Sequence, residues 1–246
     1  MEQLAYTLLA YINNVIEEDM NYHIAMRFLE NIYKIKDYSL EDIAFECNVS
    51  SRTINRFCKK IGYHNFTTLK KHILYPIIGS DKPCYEMAEF QTILSQHFDV
   101  IRQIDRSEYL TLVNMLNDAK NIWVIGFERH QVFALEFQKR LFEFGKISRC
   151  IMNYHQQLID IQKASHEDLI ITISIKGFAL TNYHQILSKI PAKKVLLTFN
   201  PQLNPHIFDQ CIICGNPQYV EFSEYALLRF FDILFYHYKQ WIAGQK

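Results

Sequence analysis

Two hydrophobic periods divide the chain. Residues 1 to about 77 show only helical spacing, with Leu4, Leu8, Tyr11, Ile12 and Val15 recurring at three or four. Ile24, Phe28, Ile32 and Ile35 repeat the pattern. From about residue 121 onward, short β-rich runs alternate with helical runs. The runs 121–125, 147–152, 169–174, 194–199 and 211–214 are strand candidates, and 132–144, 157–164 and 180–190 are helix candidates. Alternation of strand and helix predicts βαβ units and a parallel sheet. Strands that are apolar throughout predict burial on both faces. The expected fold is an all-α N-terminal domain followed by an α/β domain with a doubly wound parallel five-stranded sheet.

The predicted boundaries are residues 1–77 for the first domain, 78–107 for a linker with a connecting helix, and 108–246 for the second. The joint at 77–85 (IIGSDKPCY) holds the Gly-Ser and Lys-Pro punctuation, and a helix over about 86–104 follows it. The last helix, over about 221–241, is strongly apolar (Ala226, Leu227, Phe230, Phe231, Leu234, Phe235) and offers surface for a homodimer or homotetramer.

Composition narrows the function classes. Hydrophobic residues make up 49%, with 7 Gly and 6 Pro, which excludes a disordered or collagen-like chain. Lys and Arg number 26, as do Asp and Glu, so the net charge is +0. That excludes a uniformly basic nucleic-acid coat but leaves room for a local patch. The 6 Cys form no disulfide framework. No signal peptide and no apolar run near the ~18 residues of a membrane span is visible. The expectation is a cytoplasmic protein without membrane contact.

The stretch 38–71 (YSLEDIAFECNVSSRTINRFCKKIGYHNFTTLKK) carries the clearest motif. Ser39 and Asp42 have capping-box spacing and open a short helix that turns Ile43 and Ala44 inward. Asn48-Val49 breaks it, because Asn tolerates a left-handed backbone. Ser50 caps a second helix. That helix buries Ile54, Phe57, Cys58 and Ile61, carries a polar and basic outer face, and ends at Gly62. Two short helices joined by a tight turn form a helix-turn-helix, and the small Ala44 allows the close crossing.

Charge is sorted accordingly. Residues 1–46 hold three basic and nine acidic side chains, a net of −6. Residues 47–80 hold six basic side chains and no acidic one, a net of +6. The predicted partner is a double-stranded DNA operator. Ser50, Ser51 and Thr53 stand near the helix start, where phosphate is held. Arg52, Asn55 and Arg56 are candidates for base edges, and Lys59 and Lys60 for the backbone. An ordinary helical hairpin with a solvated basic face is the competing reading.

The run 49–70 (VSSRTINRFCKKIGYHNFTTLK) resembles the N-terminal domain of the RpiR family of bacterial sugar-responsive transcriptional regulators. That family's pattern is VS-x-x-T-[IV]-x-RF-[CA]-KK-[IL]-G-[FY]-x-x-F-x-x-[LF]-K. Val49, Ser50, Thr53, Ile54, Arg56 to Tyr63, Phe66, Leu69 and Lys70 all match it. The resemblance implies a C-terminal sugar-isomerase (SIS) domain of flavodoxin-like architecture over most of residues 108–241. It also implies a phosphosugar effector held by loops after the first and third strands. Such loops typically read G-x-G-x-S and S-x-S-G-x-T. Here they are Gly126-Phe127-Glu128-Arg129-His130 and Ser174-Ile175-Lys176-Gly177-Phe178-Ala179. Three hydroxyls are lost, while Arg129, His130 and Lys176 bring cations able to hold an anion by charge. Two readings stand open: a charge-based phosphosugar site, or a degenerate pocket whose domain only dimerises. Glu128 either pairs with Arg129 or repels phosphate. Phe127 and Phe178 narrow the crevice or meet another subunit.

Other signals point nowhere. Cys211 and Cys214 have CxxC spacing but lie on one short apolar strand, where i and i+3 point to opposite faces. Tyr183-His184 and Tyr236-His237-Tyr238 read as helix-surface residues. No P-loop, nucleophile elbow or dinucleotide fingerprint occurs, and no catalytic residue, cofactor or metal is expected. The expected function is a non-enzymatic DNA-binding regulator. The alternatives are a sugar-phosphate isomerase with a fused helical domain, and a regulator that answers to a protein partner instead of a small molecule.

Overall fold

The computed structural model describes residues 2–71, 85–126, 130–151, 154–203 and 205–245. Of the predicted joint, only Tyr85 is among them. The chain divides into two compact units, Met1–Lys82 with Ile151–Ile159, and Pro83–Cys150 with Asp160–Lys246.

The first unit is built from α1 (Glu2–Asn14), α2 (Met20–Glu30), α3 (Leu40–Glu46), α4 (Ser51–Lys60) and α5 (Phe66–Lys71). The capping box forms as expected: the Ser39 hydroxyl accepts the Asp42 N–H at 3.0 Å, and the Asp42 carboxylate accepts the Ser39 N–H at 2.8 Å. These bonds hold the Asp42 carboxyl below its usual range. Asn48 ends α3 with φ of 53°. Its N–H reaches the Phe45 carbonyl, and the Val49 N–H reaches the Ala44 carbonyl, both at 2.9 Å, which is a Schellman closure. Gly62 and Tyr63 close α4 in the same way, on Lys59 and Cys58. Helix α2 stops at Glu30, before the apolar spacing does, yet the following turn still buries Ile32 and Ile35. Phe57 sits edge-on to Phe28 and Tyr11, with ring centroids 5.4 and 5.7 Å apart.

The second unit contains α6 (Met87–Gln103), α7 (Arg106–Asp118), β1 (Ile122–Gly126), α8 (Gln131–Glu143), β2 (Ser148–Arg149), the end of α9 (Tyr154–Ile161, of which the residues up to Ile159 fall in the first unit), β3 (Leu169–Ile173), α10 (Phe178–Leu187), β4 (Lys193–Thr198), β5 (Gln210–Ile213) and α11 (Ser223–Gly244). The strands form one parallel sheet in the order β2-β1-β3-β4-β5. β1 and β3 are buried at every position. Ile122, Val124, Ile171, Val195 and Ile212 face the core with α7, α8 and α11. Trp123 points the other way and donates to Asp160 of α9 at 2.9 Å. Helices therefore cover both faces.

Three features differ from the pattern read in the sequence. β2 is two residues long, an edge strand paired only with β1. α7, which the spacing does not isolate, is a separate helix capped by Asp105 on the Ser107 N–H at 2.7 Å. The apolar face of α11 is used inside the chain. Phe230 stacks on Tyr109, Phe231 meets Phe137 edge-on, and Tyr238 stacks on Phe144 at 4.9 Å. Tyr238 is thus a core residue and not a surface one.

His97 fastens α6 to the strand-end loops. The Asn216 N–H donates to its Nδ1 at 3.0 Å, so Nε2 carries the proton and donates to the Glu221 carbonyl at 3.0 Å. The ring also lies 5.2 Å from that of Phe199. Burial lowers the His97 pKa, against the pull of Glu221 and Glu224, and burial lowers that of His237 as well. Both depressions have one sign. Below about pH 6.5 the unfolded chain takes up protons that the folded chain refuses, so stability falls as pH drops through that window. Urea midpoints measured from pH 7.5 to 5 should decline, and His97→Gln should flatten the decline while lowering stability at pH 7.5.

Candidate functional site

The basic face lies on α4. The Ser50 hydroxyl accepts the Thr53 N–H at 3.2 Å and shares a hydrogen bond with the Thr53 hydroxyl at 2.9 Å. Ser50 therefore caps the helix, and Ser51 stands at its first turn, half-buried. Arg52, Arg56 and Lys59 are exposed, and a 100° step per residue puts them within one narrow sector. Among the described residues no carboxylate pairs with them. Ile54, Phe57, Cys58 and Ile61 on the opposite side are fully buried. Burial pushes the Cys58 thiol up to about 12, as expected of a packing residue without reactivity.

Two of the expected contacts have other work. The Asn55 amide oxygen accepts the Phe66 N–H at 3.0 Å, so this side chain ties α4 to the start of α5. Lys60 leans away from the arginines. Its ammonium lies 4.0 Å from Asp19 and 5.4 Å from the centroid of Tyr11. Lys70, matched in the motif, donates to the Tyr38 carbonyl at 2.5 Å and braces the domain. These roles link residues 11 to 49 positions apart, and local spacing carries no sign of them.

The second site is set by the sheet. The order β2-β1-β3-β4-β5 reverses direction between β1 and β3, the point where doubly wound sheets bind ligands. Gly126 pairs in register with Ile173, so Ser174 follows directly beside the end of β1. A side chain at Gly126 would collide with the His130 carbonyl and come within 2.8 Å of the Gln131 Cα. Only glycine permits this close approach of the His130 and Gln131 backbone to the end of β1. Gly177 has φ of 81° and opens α10. Ser174 is buried, and its N–H donates to the Leu197 carbonyl at 3.0 Å. The carbonyl of Ile175 accepts both the Thr198 hydroxyl at 3.0 Å and the Phe199 N–H at 3.1 Å. Asn200 donates to the Lys176 carbonyl at 3.2 Å. The loop after β3 is therefore held rigidly by the loop after β4.

α8 and α10 both begin at this crevice, and among the described residues neither has a side-chain cap. Their first N–H groups and dipoles favour an anion. Of the expected ligand residues, Gly126, Ser174 and Gly177 come together, half-buried His130 precedes α8, and the Lys176 side chain is exposed. Glu128 and Arg129, with Phe127, lie outside the described residues, as does the Phe178 side chain. Leu203 is the neighbour that the motif does not show: its side chain covers Gly177, where an added Cβ would meet it at 2.5 Å. At the far edge, Cys211 is half-buried and Cys214 fully buried, burial raises both thiols, and Cys214 Sγ lies 3.5 Å from the Thr198 carbonyl.

With these geometries in place, the likeness to known proteins is specific for the first domain. Residues 7–75 match the helix-turn-helix domain of the rpiR family. An uncharacterized HTH-type transcriptional regulator of Escherichia coli, YfhH, is 24% identical over 56% of this chain and 55% of its own length. The chain thus spans about half the length of that curated relative. Among solved structures, Vibrio vulnificus NanR, complexed with ManNAc-6P, superposes with a TM-score of 0.54 at 18% identity, covering 98% of this chain and 96% of that one. The sugar isomerase domain of an RpiR transcription factor from Sphaerobacter thermophilus gives 0.53 at 16% identity, covering 61% of this chain and 86% of its own. At those identities the likeness is one of fold. No helix among the described residues is long and apolar enough to cross a membrane. Residues 7–75 are thus similar to the helix-turn-helix domain of the rpiR family, and the α/β domain that follows shares its fold with the sugar isomerase domain of the solved regulators.

Proposed function

We propose that this protein is a cytoplasmic, DNA-binding transcriptional regulator and not an isomerase, with its DNA affinity set by an anionic sugar phosphate. Residues 1–77 serve as the DNA-binding module, 78–107 as the connection, and 108–246 as the sensing and dimerising module. The observation that carries this reading is the pairing, on one chain, of an unneutralised basic helix face with a crevice where two uncapped helices begin. The NanR structure, which holds ManNAc-6P on the same fold, supports that class of effector. In this reading Ser174 and the first N–H groups of α8 and α10 hold phosphate, and Arg129, His130 and Lys176 add charge where other SIS loops use hydroxyls. Leu203 over Gly177 favours the competing reading, a closed pocket used only for assembly.

DNA contact is tested on an operator selected from the surrounding genome. Arg56→Ala should cost about 1–3 kcal/mol on that operator and relax specificity at one position. Lys59→Ala should weaken all sequences alike and reduce the salt slope by about one unit. Asn55→Ala should instead destabilise the domain by about 1–2 kcal/mol, since the Phe66 N–H loses its partner. Unchanged binding by both basic-residue variants would remove α4 as the recognition helix.

Effector binding is tested by calorimetry with a panel of sugar phosphates that includes ManNAc-6P. Lys176→Ala should cost about 1.5–3 kcal/mol, the range for a hydrogen bond to a charged group. Gly126→Ala should abolish binding by forcing open the turn into α8. Absence of heat for every phosphosugar at millimolar concentration would leave a dimeric DNA-binding protein without this effector.

A further inference from the structure

Helix α3 comes just before the basic helix α4 and presents a surface of its own. It turns Ile43 and Ala44 into a core already filled by the rings of Phe28, Phe57 and Phe66. Phe45 faces outward and is 85% exposed. Its neighbours on that outer face are carboxylates. Glu41 stands one turn before it, Asp42 three residues before it and Glu46 directly after it, and all three are exposed. Asp42 is occupied by the capping box, but among the described residues no cation pairs with Glu41 or Glu46. The nearby Arg27 is itself paired with Glu30 at 2.8 Å. An aromatic ring inside a charged rim is how protein interfaces are composed: the ring supplies buried area and the rim selects the partner.

Charge and position together identify what covers it. DNA does not, because phosphates would meet Glu41 and Glu46. A second copy turned onto the same face by a two-fold axis would bring these carboxylates against their own counterparts. A second copy offering its α4 cations would give up its own DNA contact. The occupant is therefore a different protein, and a basic one. Its place follows from the chain. Five residues separate Phe45 from Ser50 at the start of α4, so their Cα atoms lie within ~18 Å even if the turn were fully extended. With α4 on the duplex, a protein that touches Phe45 sits beside the same duplex, and a basic surface is what both the phosphates and the α3 carboxylates require.

We infer that α3 is a docking surface for the basic face of a second DNA-bound protein, the RNA polymerase at the neighbouring promoter, with Phe45 as the anchor and Glu41 and Glu46 as its charge partners. The inference rests on the DNA-binding reading above and adds a partner to it.

The test uses the full chain on a fragment that carries the operator and the adjacent promoter, with RNA polymerase holoenzyme of the same bacterium as the probe. Quantitative footprinting reports operator occupancy with and without the polymerase. The polymerase should tighten operator binding by the wild type about tenfold, within the usual range of coupling between two ligands. Phe45→Ala should lose this gain while binding the operator alone as the wild type does, with unchanged circular dichroism because the ring is exposed. Glu46→Lys should lose it too, although a cation in the last turn suits the helix dipole and approaches phosphate favourably. Its binding to the operator alone should be at least as tight as that of the wild type. A wild type indifferent to the polymerase, or variants that keep the full gain, would overturn the inference and leave the DNA reading intact. Weaker binding of Phe45→Ala to the operator alone would overturn it as well, by placing the ring on DNA. Failure of the wild type to bind the operator without polymerase would instead remove the DNA reading, and this inference with it.

Discussion

Burial of the central strands on both faces is the constraint from which the second unit follows. β1 and β3 have no exposed residue, so helices must cover both sides, and the polar groups on the faces, such as Asp160 against Trp123, are paired within the chain. What remains open are the strand ends. At the carboxyl ends the backbone groups leave the ladder, and the chain must turn into a helix or cross to the next loop. Gly126 and Gly177 make those turns, and the hydrogen bonds onto Ile175 keep the second loop in place. The candidate site lies at these ends, where backbone groups are left free of the ladder.

The first unit obeys a different constraint. Two helices must cross closely enough to share a core, so each must end abruptly. Asn48 and Gly62 provide those endings with the same pair of backbone bonds. With the apolar side of α4 sealed by Phe57 and its aromatic neighbours, the cations are left on the outside. A neutral chain can then present a strongly basic surface, because the acidic residues of this unit lie before it, in residues 1–46.

Much of this was legible in the sequence, for a physical reason. Caps, turns and strand runs are local, and local chemistry is written in adjacent residues. The Ser39 box, the left-handed Asn48, the buried set Ile54, Phe57, Cys58 and Ile61, and four of the five strands all read directly. The failures share the opposite cause. β2 shrinks because an edge strand keeps only the residues its single neighbour can pair. α11 reads as an interface because apolarity does not say which partner buries it, and here the partners are Tyr109, Phe137 and Phe144. Asn55 and Leu203 act on residues 11 and 26 positions away, so their roles are tertiary. The fold was therefore clearer than the site, since a site is made of such distant meetings.

α8 joins the two themes. Its first turn borders the crevice at Gly126, its inner face packs Phe137 into the core, and its outer face exposes Val132, Leu135 and Phe142. A helix moves as a rigid body more readily than it bends. A ligand that draws on the first N–H groups of α8 would therefore act on the whole helix, including any surface resting on its far side. Coupling of this kind needs no chain of side-chain contacts across the domain. It needs only that the binding end and the outer face belong to one element. Effector binding and any association on that outer face would then be linked reciprocally, each changing the other by the same factor.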